Sequence, residues 1–319
     1  MLAQRRFYHY DLNQTSISSE AIFSLALTIP AMKIIIFFIV LMWHTLLIAG
    51  ENEFVVRYPR YSTNDDPREK FPLALLELAF AKSKVKATLQ QHPLVMEVSR
   101  ATLELEQGKN INLIWTTMEP KFESNFRPIR IPLYRGLYGQ RIFLINKRRQ
   151  ADFAKVKTLD DLRQFKAGIG FGWGIGDLMD EAKLPFTRMK YDGLFKLLDL
   201  GGIDYIPRGA TVVFSEWRNH QVDAPNLMVE PHLVLSYRND FIFYTHKKDE
   251  AMARVIEAGL HKAYADGSFM KLFNEHPAII EVVKEVALDK RLRLVLPDNT
   301  LSKENLAIPE RYWANKAGR

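Results

Sequence analysis

From Glu51 onward, short apolar runs alternate with segments whose hydrophobic residues recur at helical spacing, which restricts the chain to strands that cross over through helices. Phe54-Val55-Val56-Arg57 reads as a first strand. After the polar stretch 62–70, Leu73, Leu76 and Phe80 share one helix face, and 85–89 reads as the next strand. Leu94, Val98, Ala101 and Leu105 follow at the spacing of a second helix, which Gly108 stops in a left-handed conformation before a strand at 111–115. The order is βαβαβ, with largely parallel sheets expected. A strand at 141–146 then leads through Lys147-Arg148-Arg149 into a second unit. This comprises a helix near 159–165, a glycine-rich strand end at 168–176, a helix to Ala182, a strand at 186–191 and a helix ending at Gly201-Gly202. Strands at 233–236 and 241–245 precede a long helix from Asp249, in which Met252, Val255, Ile256, Gly259 and Ala263 share a face. No Ser/Gly/Pro-rich linker separates the two α/β units, so a cleft between them is expected, where small ligands commonly bind.

Ahead of Glu51 lies an apolar run, 34–50, introduced by Met32-Lys33 and followed by Glu51-Asn52-Glu53. A cation, an apolar stretch and small residues form the tripartite pattern of a secretory signal. Upstream, 1–31 carries Arg5-Arg6, a polar patch through Glu20 and a second apolar piece at 21–30. Two readings stay open. Either translation starts at Met32 and 32–50 is a cleaved signal peptide, or 1–31 is a real extension. In the second case 21–50 exceeds the roughly 20 residues needed to cross a bilayer and stays as an anchor. A core helix fits poorly, because the run is apolar all round. Both readings place the rest outside the cytoplasm, as a periplasmic or extracytoplasmic protein.

Composition narrows the function. Lys and Arg number 44 against 37 Asp and Glu, and only three of the cations and two of the acids precede Glu51. The mild basic excess is scattered among acids, which gives no nucleic-acid signature. The absence of cysteine excludes disulfides, thiol catalysis and thiolate metal sites. No H-E-x-x-H or close His/acid cluster points to a metal, and no G-x-S-x-G elbow marks a nucleophile. No metal, cofactor or catalytic residue is therefore assigned.

Gly168, Gly170, Gly172, Gly174 and Gly176 alternate with larger residues, but the even spacing matches neither the dinucleotide fingerprint nor the P-loop. What remains is a strand-to-helix turn whose backbone can approach a ligand, with an anionic group suited to the helix start near Asp177. Gly172, Trp173 and Gly174 are candidate ligand contacts there; the alternative is a tight structural turn. Other candidates sit at strand ends: Arg60 and Tyr61 after the first, Thr116 and Thr117 after the third, Tyr134 and Arg135 near the crossover. Trp115 and Trp217 read as core or rim packing.

The stretch 114–134, Ile-Trp-Thr-Thr-Met-Glu-Pro-Lys-Phe-Glu-Ser-Asn-Phe-Arg-Pro-Ile-Arg-Ile-Pro-Leu-Tyr, resembles the first-lobe segment of family 3 periplasmic solute-binding proteins. In that family a strand ending in Thr or Ser precedes a Thr-Pro-Glu-Arg turn and a Phe-Ser-x-Pro-Tyr strand; Thr116, Thr117, Pro120 and Pro132 fall into place. Tyr58-Pro59-Arg60-Tyr61 resembles the family's Tyr-x-Pro-Phe ligand loop, and 200–208 resembles its Gly-Arg-x-Asp-Ala segment. The resemblance implies the two-lobed type 2 periplasmic-binding-protein-like α/β fold, with 51–143 and 245–290 as lobe 1, 144–244 as lobe 2, and 291–319 packed on lobe 1. Hinges are expected at 141–146 and 241–245.

Two departures bear on the ligand. Where the family's turn arginine holds a ligand carboxylate, this chain has Phe122; where an aspartate meets the ligand ammonium, it has Arg208-Gly209. A standard α-amino acid ligand is therefore not expected, and Arg208 is a candidate for paired hydrogen bonds to a carboxylate or phosphate, the alternative being an ion-pair role. The implied function is that of a monomeric exported protein, not an enzyme, which closes on a small polar ligand, with an anionic one in view, for a membrane transporter or sensor. Alternatives are an enzyme on the same fold, lyase or peptidoglycan-active, and a membrane-tethered sensory receptor.

Overall fold

The computed structural model describes residues 53–61, 67–171, 173–297 and 301–314. The signal or anchor segment, the extension before it and Gly172 lie outside these. Twelve strands are described: β1 Phe54–Arg60, β2 Ala87–Val95, β3 Leu113–Thr117, β4 Arg127–Ile129, β5 Gln140–Asn146, β6 Ala167–Gly170, β7 Phe186–Met189, β8 Tyr205–Gly209, β9 Leu227–Val229, β10 Leu233–Ser236, β11 Phe241–Thr245 and β12 Leu292–Val295.

They form two lobes. In the first, β1 and β2 pair in parallel, and β11 pairs antiparallel with both β3 and β4. Asn112 stitches β1 to the start of β3: its side chain accepts from Arg57 N–H at 2.8 Å and donates to the Val55 carbonyl at 2.9 Å. In the second, the order β12-β10-β5-β8-β6-β7 places β5 antiparallel to β8, β9 and β10, while β6 is parallel to β7 and β8. The sheets are thus mixed rather than largely parallel, because β5 and β11 enter against the direction of the strands they join.

Local sequence explains the helices. The helix Val98–Gln107 buries Ala101 and Leu105 and ends at Gly108, whose φ of 65° lets its N–H reach the carbonyls of Glu104 and Leu105. Leu94, expected on this helix, lies instead on β2 and is exposed. Thr158 and Asp161 form a reciprocal capping box that starts Leu159–Leu162. The helix Glu250–Ala265 buries Met252, Ala253, Ile256, Gly259, Leu260 and Ala263 against the first lobe.

Sheet membership corrects the expected lobe boundaries. β5 lies wholly in the second-lobe sheet and β11 wholly in the first, so boundaries at 143 and 244 cut through strands. Residues 141–146 and 241–245 are therefore sheet interior, and the crossings fall at 133–139 and 237–240. Strand β12 pairs in parallel with β10, so residues 292–295 belong with the second lobe rather than the first. Beyond it, 301–314 returns to the first lobe, where Asn305 Nδ2 donates to Glu123 and Ala314 N–H donates to the Arg135 carbonyl at 2.7 Å.

The two neighbouring crossings are locked by Asp240, which is fully buried. Its carboxylate accepts from Tyr134 N–H at 3.0 Å, Gly136 N–H at 2.6 Å and Phe241 N–H at 2.7 Å. Gly136, at φ 88°, takes the left-handed turn that aims its N–H inward. Burial pushes the Asp240 carboxyl up to about 7, against the lowering by these backbone donors and Arg135. Among the described residues, no helix is long and apolar enough to cross a membrane.

Candidate functional site

Two cavities lie between the lobes. The first, of about 350 Å³, is bounded by Thr117, Glu119 and Lys121 from the end of β3 and the following turn, by Gly174 and Asp177 from the second lobe, and by Arg141, Tyr237 and Asn239 near the crossings. It is polar. Thr117 Oγ1 donates to Glu119 Oε1 at 2.7 Å, and Glu119 Oε2 pairs with Lys121 Nζ at 2.5 Å. Asn239 holds the floor: its Oδ1 accepts from Met118 N–H and its Nδ2 donates to the Met118 carbonyl, both at 3.1 Å.

The second cavity, of about 260 Å³, is lined by Tyr61, Trp115, Tyr134, Tyr138 and Phe241 from the first lobe and its crossings, with Thr211 and Val212 from the second. Its aromatic wall is tightly packed, with Tyr61 edge-on to Trp115 at 5.6 Å and Tyr134 edge-on to Phe241 at 6.1 Å. Tyr61 N–H donates to Glu69 Oε1 at 2.8 Å. Burial first, and the Glu69 charge second, raise the Tyr61 hydroxyl above its ordinary value, so it stays protonated.

The expected contacts divide between these cavities and the surrounding scaffold. Thr117 and Gly174 face one another across the first cavity, and Tyr61 and Tyr134 line the second. Thr116 is buried inside its sheet opposite Ile242, and Arg60 ends β1, where its carbonyl accepts from Met96 N–H; neither lines either cavity. Arg135 turns away to the C-terminal segment, donating to the carbonyls of Arg311 and Trp313 at 3.2 Å.

Arg208 is a correction. Its guanidinium makes a two-pronged pair with Glu216 and lies 3.9 Å from the Trp173 ring centroid. Trp173 thus covers the paired arginine, and neither residue lines the two cavities. The anion expected at the start of helix Ile175–Glu181 meets a further obstacle: Glu119 reaches across the cleft, its Oε1 3.5 Å from where a Cβ on Gly174 would stand. Phe122, in place of the family's arginine, is buried edge-on to Tyr244 and beside Phe126.

Sequence reading missed Glu119, Lys121, Arg141 and Asn239 as cavity residues. Glu119 and Lys121 stood inside the stretch already singled out. Arg141 opened the stretch 141–146, read as a strand and a hinge but not as part of a site, and Asn239 carried no motif.

Fold and cavities together define a two-lobed α/β architecture with a polar and an aromatic chamber between the lobes. No family model and no curated protein matches the chain. Solved structures similar to it include an ancestral arginine-binding protein bound to arginine, 14% identical with a TM-score of 0.48 over 70% of this chain and 98% of that one. An amino acid ABC transporter substrate-binding protein from Streptococcus pneumoniae, bound to L-arginine, is 15% identical with a TM-score of 0.47 over 75% and 98%. A histidine kinase sensor domain with similarity to periplasmic binding proteins is 12% identical with a TM-score of 0.49 over 71% and 96%.

Proposed function

We propose that this chain is an exported, monomeric solute-binding protein whose lobes close on a small polar ligand and present it to a membrane transporter or sensor. The observation that carries this reading is the first cavity, whose opposite walls, Thr117 to Lys121 and Gly174 to Leu178, come from different lobes. A ligand there would favour closure by touching both walls at once, through its differential affinity for the closed state. The same cavity supports binding over acid–base catalysis, since Glu119 is paired with Lys121 and Asp177, the other carboxylate, is exposed and lies near Arg188. In this reading 32–50 directs export and is removed.

Small-angle scattering and melting curves with candidate solutes test the reading. A ligand that raises the melting temperature, reduces the radius of gyration and is recovered unchanged supports it; chemical conversion of the ligand would sink it in favour of an enzyme. The mass of the protein recovered from the exported fraction tests the signal, with an intact 21–50 segment favouring a tethered receptor.

A further inference from the structure

Arg141, the second residue of β5, reaches the polar cavity from beside the crossings. Its Nε donates to the Tyr237 hydroxyl at 3.0 Å and its Nη2 donates to the same oxygen. The rings of Tyr138 and Tyr237 lie 5.9 and 5.4 Å from its Cζ. All these partners are neutral, and among the described residues no carboxylate comes within ion-pair reach of this guanidinium. Of the other charged groups on the cavity, Glu119 and Lys121 pair with each other at 2.5 Å, while the exposed Asp177 lies 3.6 Å from Arg188, which stands outside the lining. Arg141 is thus the half-buried cation of the lining, where reduced solvent screening strengthens its attraction for an anion. Nη1 lies beside Gly209, where even a Cβ would come within 3.3 Å of it, so the glycine keeps that edge of the fork uncrowded.

We propose that Arg141 holds the charged group of the ligand, and that the cavity takes a small organic monoanion whose carboxylate carries no compensating ammonium. This rests on the solute-binding reading of the same cavity. The guanidinium edge formed by Nη1 and the second Nη2 hydrogen matches the two oxygens of a carboxylate. An α-amino acid fits less well, because its ammonium would need an acid, and Glu119 already pairs with Lys121 while Asp177 faces solvent.

Calorimetry and melting curves on the full exported protein test this. The probes are short-chain monocarboxylates with their 2-hydroxy and 2-oxo forms, benzoate and phenylacetate, the primary amide of each, and the matching 2-amino acids. The expected result is binding of at least one acid, with its amide and amino-acid counterparts at least about tenfold weaker. Arg141→Gln weakens that acid at least about tenfold and Arg141→Lys less, because lysine keeps the charge and loses the fork. An amide or amino acid that binds as tightly as its acid, or undiminished binding by folded Arg141→Gln, overturns the anion assignment and leaves the solute-binding reading standing. Failure of every acid to bind overturns the anion assignment, while the solute-binding reading is decided by the melting and scattering measurements on other solutes. Should Arg141→Gln not fold, the comparison of acid with amide on the unaltered protein decides alone.

Discussion

The Arg208 guanidinium grips both oxygens of Glu216, Nε to Oε2 and Nη2 to Oε1, joining β8 to the helix Val213–His220. The two side chains are 12% and 10% exposed, and the Tyr191 hydroxyl adds a bond to Glu216 Oε1 at 3.2 Å. Of the two roles the sequence left open for Arg208, ligand contact or ion pair, the fold supplies the ion pair, within one lobe.

Breaking this pair should damage stability rather than binding. Arg208→Ala and Glu216→Ala each strand a buried charge and should cost about 3 kcal/mol, with the double substitution costing less than their sum. Urea unfolding of the three variants measures this. Loss of ligand affinity in Arg208→Ala with stability unchanged would return Arg208 to the binding site.

Asp240 should make the crossings sensitive to pH. Because burial raises its folded carboxyl from 3.8 to about 7, the folded protein holds a proton that the unfolded chain releases. Its stabilising contribution is therefore complete below the unfolded value and is lost as pH rises from about 4 to about 7, at about 1.4 kcal/mol per unit of separation. The melting temperature of the unaltered protein, taken relative to Asp240→Asn, should fall across that window and level off above it. A difference that stays constant with pH would show that Asp240 does not titrate there.

Gly259 sits where the helix Glu250–Ala265 presses on the helix Pro67–Ser83, and a Cβ there would collide with the backbone of Ala79. Lys82 and Asp266, 2.5 Å apart, and the Ser83 hydroxyl, donating to the Val255 carbonyl at 2.7 Å, fix the same contact. Gly259→Ala should therefore destabilise by about 1–3 kcal/mol despite alanine's better helix propensity. The denaturant midpoint should drop while the slope stays the same; a raised midpoint would mean that the helices separate freely.

Asn239→Ala should leave the Met118 carbonyl without its side-chain donor, while Met118 N–H keeps the Asp240 carbonyl at 3.2 Å. A stranded buried polar group costs about 1–3 kcal/mol. Amide exchange at Met118 and its neighbours should quicken more than exchange in β8. Uniform exchange changes across both lobes would argue that Asn239 supports the whole fold instead of this turn.

Much of the fold was legible in the chain. Helix-period residues such as Met252, Ile256 and Ala263 identify their buried face because side chains recur every 3.6 residues whatever they pack against. Gly108 marks a helix end because a left-handed residue is a local requirement. Thr117, Gly174, Tyr61 and Tyr134 were singled out because strand ends and glycine turns mark where a cleft can lie, and each lines one of the two cavities. The direction of β5 and β11 was not legible, since an apolar run of this length reads the same in parallel and antiparallel pairing.

Sequence by itself determined two α/β units, the buried face of the helix Glu250–Ala265, the strand end that carries Thr117 and the replacement of an expected arginine by Phe122. Only the tertiary structure decided which charges are satisfied. Arg208 and Arg141 look alike in the sequence, yet one meets Glu216 and the other, among the described residues, meets the Tyr237 hydroxyl and the rings of Tyr138 and Tyr237. The reason is physical: a charge is neutralised by what lies within a few ångströms in space, and folding sets that distance by bringing together elements far apart in the chain.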